Sequence, residues 1–187
     1  LDLGHLKNVS CYIANENLTD KWFDILLMLI KRSNYHIGYM LDQRSNRYCD
    51  DIAINIVNEG KIKSLSYLTL WSLIKEVGCS LSVFEQDQTK PVIGILSQNQ
   101  LNCILVDLAC LAFGFEIVPI PINTIGEHVS FILEHSEVTH LFLGGKKGND
   151  IWSDIIDRSL IKTIAMDEKV RIDDSINWEQ FLELGDK

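Results

Sequence analysis

The segment most able to do chemistry is Gly144-Gly145-Lys146-Lys147-Gly148, which follows an apolar run and precedes a helical one. Glycine-rich turns at that junction can aim backbone amides at an anion, with lysines adding charge. The Gly-x-x-x-x-Gly-Lys-Ser/Thr spacing of a phosphate loop is absent, so a surface turn with solvated lysines is the expectation. Three histidines invite a metal reading. His128 and His135 stand seven apart, two turns along one helical face, and His140 follows. Compact helical metal motifs use i, i+3 or i, i+4 pairs, so no metal site is expected. Cys103 and Cys110 have the same offset and suit packing as small apolar groups. Ser97 and Ser130 lack the Gly-x-Ser-x-Gly context of an activated serine. No Gly-x-Gly-x-x-Gly fingerprint occurs.

The elements that would carry these residues follow from periodicity. Residues 1–50 read as a helical N-terminal extension. Trp22, Ile25, Leu26, Leu29 and Ile30 recur at helical spacing behind a capping Thr19. Ile52 to Val57 is strand-like, Asn58-Glu59-Gly60-Lys61 is a turn, and Ile62 to Leu65 returns as a second strand. A helix starts near Ser66, with Tyr67, Leu70, Trp71, Ile74, Val77, Gly78 and Leu81 on one face. Pro91 to Leu96 is a continuous apolar run, the signature of a strand covered on both faces. Leu101, Ile104, Leu105, Leu108, Leu111 and Ala112 give the next helix, with Gly114 as its left-handed stop. Residues 115–122 form a strand whose prolines, Pro119 and Pro121, put its later part at an edge or outside the sheet. Thr124 to Glu127 has capping-box spacing, after which Ile125, Val129 and Ile132 face inward. Residues 140–143 form a strand, 150–160 a helix, 163–166 a strand and 178–182 a closing helix. This alternation predicts an α/β fold: a mainly parallel sheet flanked by helices.

Composition narrows the partners. The 187 residues carry a net charge of −9. An acidic surface repels nucleic-acid phosphates and anionic lipid in bulk, so no nucleic acid is expected as partner. Seven acids against three bases between Asp167 and Lys187 read as a solvated end. Five scattered cysteines fit neither a disulfide framework nor a zinc knuckle, which favours a reducing, cytoplasmic compartment. No signal peptide is visible, and the apolar window 22–30 is far shorter than the ~20 residues of a transmembrane segment. The chain does not begin with Met, so an excised piece of a longer protein is expected.

Five pieces in order carry a family resemblance. They are Ser64-Leu65-Ser66-Tyr67 before a Trp-containing helix; Val92-Ile93-Gly94-Ile95-Leu96-Ser97-Gln98-Asn99; Asp107-Leu108-Ala109-Cys110-Leu111-Ala112-Phe113-Gly114; Val118-Pro119-Ile120-Pro121-Ile122-Asn123-Thr124; and the helix and strand lead from Glu127 to His140. The stretch 51–145 resembles the N-terminal region of AMP-forming acyl-CoA synthetases and acyl-AMP ligases, the superfamily of adenylation domains and luciferases. Leu-Ala-Phe-Gly followed by Pro-Ile-Pro resembles the long-chain fatty-acid type.

The resemblance implies that residues 51–187 are the N-terminal α/β subdomain of an acyl-adenylate-forming ligase, truncated before the family's phosphate loop. The parent would use ATP and Mg²⁺ to activate a carboxylic acid, by carboxylate attack on the ATP α-phosphate, and then form a thioester, with the acceptor open between CoA and a carrier protein. This chain has no Ser/Thr/Gly-rich loop ending in Gly-x-x-Lys-Gly, so no catalytic residue is carried over and no cofactor is expected on the fragment alone. Its expected role is scaffold and one wall of the acyl channel, with the remainder of the ligase domain as partner. Pro121, Asn123 and Thr124, in the loop after a strand's carboxyl end, are the candidate channel residues. Tyr67, Trp71, Phe113, Phe115 and Phe131 are candidate tunnel-lining rings, with core packing the stronger expectation for each. Two other readings remain open: a stand-alone interaction module, such as a homodimer, derived from such a ligase, and a flavodoxin-like or receiver domain with similar alternation. A receiver needs acids at strand ends, where this chain places Ser97, Gln98, Asn99 and Thr124.

Overall fold

The computed structural model describes residues 11, 21–33, 35–58, 60–85, 90–153 and 161–186. Two helices open it, α1 (Trp22–Ser33) and α2 (Ile37–Arg47), followed by the hairpin β1 (Ile52–Asn58) and β2 (Lys61–Ser66). Then come α3 (Tyr67–Ser82), β3 (Val92–Ser97), α4 (Leu101–Phe113), β4 (Glu116–Ile120), α5 (Gly126–His135), β5 (His140–Gly144), α6 (Gly145–Ser153), β6 (Lys162–Ala165), β7 (Ile176–Asn177) and α7 (Trp178–Glu183). The expected capping residue Thr19 lies outside the described residues.

The hairpin is antiparallel and forms its own two-stranded sheet, with Gly60 at φ +76° in the turn. The other strands form one five-stranded sheet in the order β4-β3-β5-β6-β7, parallel throughout. Side chains alternate across it. Ile93, Ile95, Phe142 and Ile164 enter a core with α2, α3, α4 and α7. Leu96, Leu141, Leu143 and Ala165 enter a second core with α5 and α6. Burial on both faces is why these strands are unbroken apolar runs in the sequence.

Local signals place most ends. The Ser66 hydroxyl caps α3 by accepting the Thr69 amide at 3.3 Å. Gly114, at φ +73°, stops α4. The ammonium of Lys90 donates to the Phe113 and Gly114 carbonyls at 3.1 and 3.0 Å, satisfying groups that the helix end leaves open. Pro119 lies within β4, an edge strand paired only with β3, where its missing amide costs no ladder bond.

Four expectations are corrected. The capping box at Thr124–Glu127 does not form: Ile125 is the N-cap, without a side-chain hydrogen bond, and is exposed rather than inward-facing. The turn closed by the Thr124 amide on the Pro121 carbonyl (2.9 Å) shifts the helix start. Residues 144–148 are not a surface turn, because β5 runs through Gly144 and α6 starts at Gly145. The helix expected over 150–160 therefore begins earlier, and its part from 154 onward lies outside the described residues. On α4, Leu111 faces outward, while Val106, Ala109 and Cys110 are buried. The short strand β7 has no counterpart in the sequence reading.

Candidate functional site

Strand order creates the site. From β3 the chain crosses to β4 on one side, then returns past β3 to β5 on the other. The connections leaving β3 and β5 therefore diverge, opening a crevice beyond their carboxyl ends. A cavity of about 370 Å³ lies there, lined by Val57 of the hairpin, Gln98, Gln100 and Asn102 after β3, Gly145 after β5, and Asp167 after β6. A neighbouring space of about 550 Å³ shares Gln98 and Lys169 and adds Lys146, Asn149, Asp150 and Arg171.

Asp167 organises the rim. One carboxylate oxygen accepts the Gly145 amide at 2.7 Å, and the other accepts the Lys169 amide at 2.8 Å. The amide that a glycine-rich turn could offer an anion is thus taken by the chain's own carboxylate. Asn102 donates to the Met166 carbonyl at 2.7 Å, tying α4 to the end of β6. Gln100 donates to the Ser97 hydroxyl at 2.9 Å, and that hydroxyl donates to the Gln98 carbonyl at 2.7 Å. Ser97 is therefore held as a structural link rather than as a free nucleophile. A Cβ on Gly144 would strike the side chains of Gln100 and Ser97, and one on Gly148 would lie 2.7 Å from the Leu96 carbonyl oxygen. Both glycines are what lets α6 sit against the end of β3.

The profile of the AMP-binding enzyme family matches residues 41–183, a span that includes the whole sheet and this crevice. The chain belongs to the AMP-binding enzyme family. No curated protein matches it by sequence. Solved structures share its fold. One is described as a long-chain-fatty-acid CoA ligase from Rhodopseudomonas palustris CGA009, with TM-score 0.66 and 15% identity over 79% of this chain and 36% of that one. Coronafacic acid ligase from Pectobacterium brasiliense gives TM-score 0.64 and 19% identity over 80% of this chain and 29% of that one. A red-emitting luciferase from Phrixothrix hirtus gives TM-score 0.61 and 19% identity over 79% and 35%. The chain thus spans 29–36% of the length of these structures. At such identities the likeness is one of fold.

In this AMP-binding enzyme chain the candidate channel residues occupy the loop leaving β4. Pro121 and Asn123 are exposed and Thr124 is half-buried. The Asn123 side-chain oxygen accepts a hydrogen bond from Lys147, which fastens the loop to the first turn of α6. The candidate tunnel rings do not line one cavity among the described residues. Trp71 and Phe113 stack at 6.0 Å on the α3–α4 side, Phe115 is buried beneath the Lys90 ammonium, and Phe131 is exposed on α5 against His135.

The histidines are equally dispersed. His128 and His135 are exposed on α5, while His140 is buried at the start of β5. Among the described residues no three His, Cys, Asp or Glu side chains gather where a metal ion could sit. Burial, and then the charge of Lys162, pushes the His140 imidazole down to about 4. It stacks on Phe84 at 4.1 Å, and its Nε2 has no hydrogen-bond partner among the described residues. Burial first, and Asp107 second, pushes the Cys110 thiol up to about 12 and raises Cys103 as well. Neither is primed for attack.

The crevice can do one kind of chemistry by itself. Lys146, Lys169 and Arg171 with nearby side-chain amides can hold part of an anion. Each Asp167 oxygen accepts one backbone amide, and no Ser/Thr/Gly-rich loop ending in Gly-x-x-Lys-Gly occurs in the 187 residues. The sequence reading missed Gln100, Asn102, Asp167 and Lys169. They are ordinary polar residues, Gln100 and Asn102 at the start of α4 and Asp167 and Lys169 after β6, and only the strand order brings them together.

Proposed function

We propose that this chain is the N-terminal part of an ATP-dependent, AMP-forming ligase that activates carboxylic acids, fatty acids among them. The observation that carries this is the family match over residues 41–183, on a sheet whose switch-point crevice is bordered by cations. Two neighbours that share its fold bear ligase names, one for long-chain fatty acids and one for coronafacic acid.

In this reading residues 1–50 are a helical extension, with α2 docked on the body, and residues 51–187 are the N-terminal α/β subdomain. The subdomain is a scaffold. Its sheet supports one wall of the acyl channel, to which Pro121, Asn123 and Thr124 contribute. The carboxyl-end position of their loop and the Asn123–Lys147 tie to α6 support that assignment. ATP, Mg²⁺ and CoA engage chiefly the remainder of the ligase, so this chain alone does not catalyse adenylation. Five cysteines without a disulfide among them support work in a reducing, cytoplasmic compartment.

Carboxylate-dependent exchange of pyrophosphate into ATP tests the reading. The 187-residue chain gives no exchange, and the chain extended through its downstream gene sequence does. An extended protein inert towards every carboxylic acid offered overturns it.

A further inference from the structure

We propose that the segment carrying α1 and α2 binds anionic lipid bilayers peripherally, with α1 lying in the interface. Three observations lead there.

The first is charge. The segment holds five bases (Lys21, Lys31, Arg32, Arg44, Arg47) and two acids (Asp24, Asp42), a net +3 within a chain of net −9, so the other residues carry −12. One of those two acids, Asp42, is exposed but has an oxygen engaged by the indole N–H of buried Trp71 at 3.0 Å. Overall acidity repels an anionic membrane from most of the molecule, whereas this segment carries net charge of the attracting sign.

The second is exposed apolar and aromatic surface on the same segment. Trp22, Phe23 and Leu27 of α1 are 45%, 65% and 40% exposed, and Tyr35 and Tyr39 are 40% and 43% exposed. The two tyrosine rings meet edge to face at 5.4 Å, forming one amphipathic platform. None of the described α1 side chains belongs to either core cluster. Tryptophan, tyrosine and phenylalanine beside lysine and arginine are the composition of an interfacial element, since the rings sit among headgroups and the cations meet lipid phosphates.

The third is length. α1 has 12 residues, and at about 1.5 Å each it is too short to cross a hydrocarbon core of about 30 Å. It can lie along the interface, and α2, whose Leu41 is buried in the body, then holds the rest of the protein against the membrane surface. The exposed Phe131 on α5 is a built-in contrast, because it stands between Glu127 and Glu134 rather than among bases.

Co-sedimentation of the 187-residue chain with phosphatidylcholine vesicles, with and without phosphatidylserine, tests this. Binding is expected only with phosphatidylserine, and it weakens as salt is raised. The double variant Trp22→Ala/Phe23→Ala and the charge-reversed Lys31→Glu/Arg32→Glu are each expected to lower the partition about tenfold. Phe131→Ala leaves it unchanged. Circular dichroism confirms that each variant remains folded. Absence of binding, equal binding to neutral vesicles, or equal loss in Phe131→Ala overturns the proposal. So does a concentration-dependent dimer that the Trp22/Phe23 variant abolishes while lipid binding is absent, since the patch then serves a second copy. The outcome is independent of ligase activity, which the exchange assay reads separately.

Discussion

His140 has its imidazole buried at the start of β5, Nδ1 at 2.9 Å from the Thr139 hydroxyl, Nε2 without a partner among the described residues and one face on Phe84. Its folded-state titration is pushed down to about 4 by burial and Lys162, against an ordinary value of 6.5. The unfolded chain therefore binds more protons between those two values. The contribution is fully present above 6.5 and is lost as pH falls through 6.5 towards 4. The urea midpoint of the native chain should drop more between pH 7 and pH 5 than that of His140→Phe, which keeps the ring stack and cannot protonate. Equal drops would mean that other groups carry the acid sensitivity. The sequence reading saw this histidine only as a weak metal candidate. Its burial depends on Phe84, more than fifty positions earlier, which periodicity around His140 does not reveal.

Helix α6 shows where local signals stop being sufficient. Gly-Gly-Lys-Lys-Gly has the composition of a turn, and it is nevertheless the end of a strand and the first turn of a helix. The deciding contacts come from afar: the Asp167 carboxylate on the Gly145 amide, and the Leu96 carbonyl against Gly148. Gly148→Ala sets a new methyl 2.7 Å from a backbone oxygen that cannot rotate away. Overpacking of that kind costs ~1–3 kcal/mol, helix propensity returns up to ~1, and a net loss is expected. Gly126→Ala, at the open start of α5, meets nothing within 4 Å and should be neutral or stabilising. Urea denaturation of the two variants checks the contrast. Where a signal was self-contained, it was legible: Ser66 capping α3 and Gly114 ending α4 both lie where the residues alone put them. The Thr124 capping box failed because a competing turn at Pro121 uses Thr124 first.

For the whole molecule, the strands were legible because both sheet faces are covered, which makes 92–96 and 140–143 read as unbroken apolar runs. Their spatial order was not, since nothing in a strand states which neighbour it takes. The crevice, which depends on that order, was correspondingly invisible, and Pro121, Asn123 and Thr124 came forward through family resemblance and their place after a strand's carboxyl end. The core can be probed as one unit through its thiols. Cys79 is exposed on α3, whereas Cys110 is fully buried on α4 with its thiol pushed up to about 12. A thiol reagent at pH 8 should modify Cys79 at once and Cys110 only as denaturant unfolds the chain, with the two midpoints for Cys110 labelling and circular dichroism coinciding. Early labelling of Cys110 would reveal a separate opening of α4.

The pairing of β3 with β5 sets the timing of synthesis. Val92 meets Thr139 at a sequence separation of 47, and the strand that completes that side is β5. As the polypeptide leaves the ribosome, Ile93, Ile95 and Leu96 emerge well before their second neighbour exists. The nascent chain must carry a sticky, half-covered strand until β5 is free, which makes chaperone binding at residues 92–97 the natural guard against aggregation during translation.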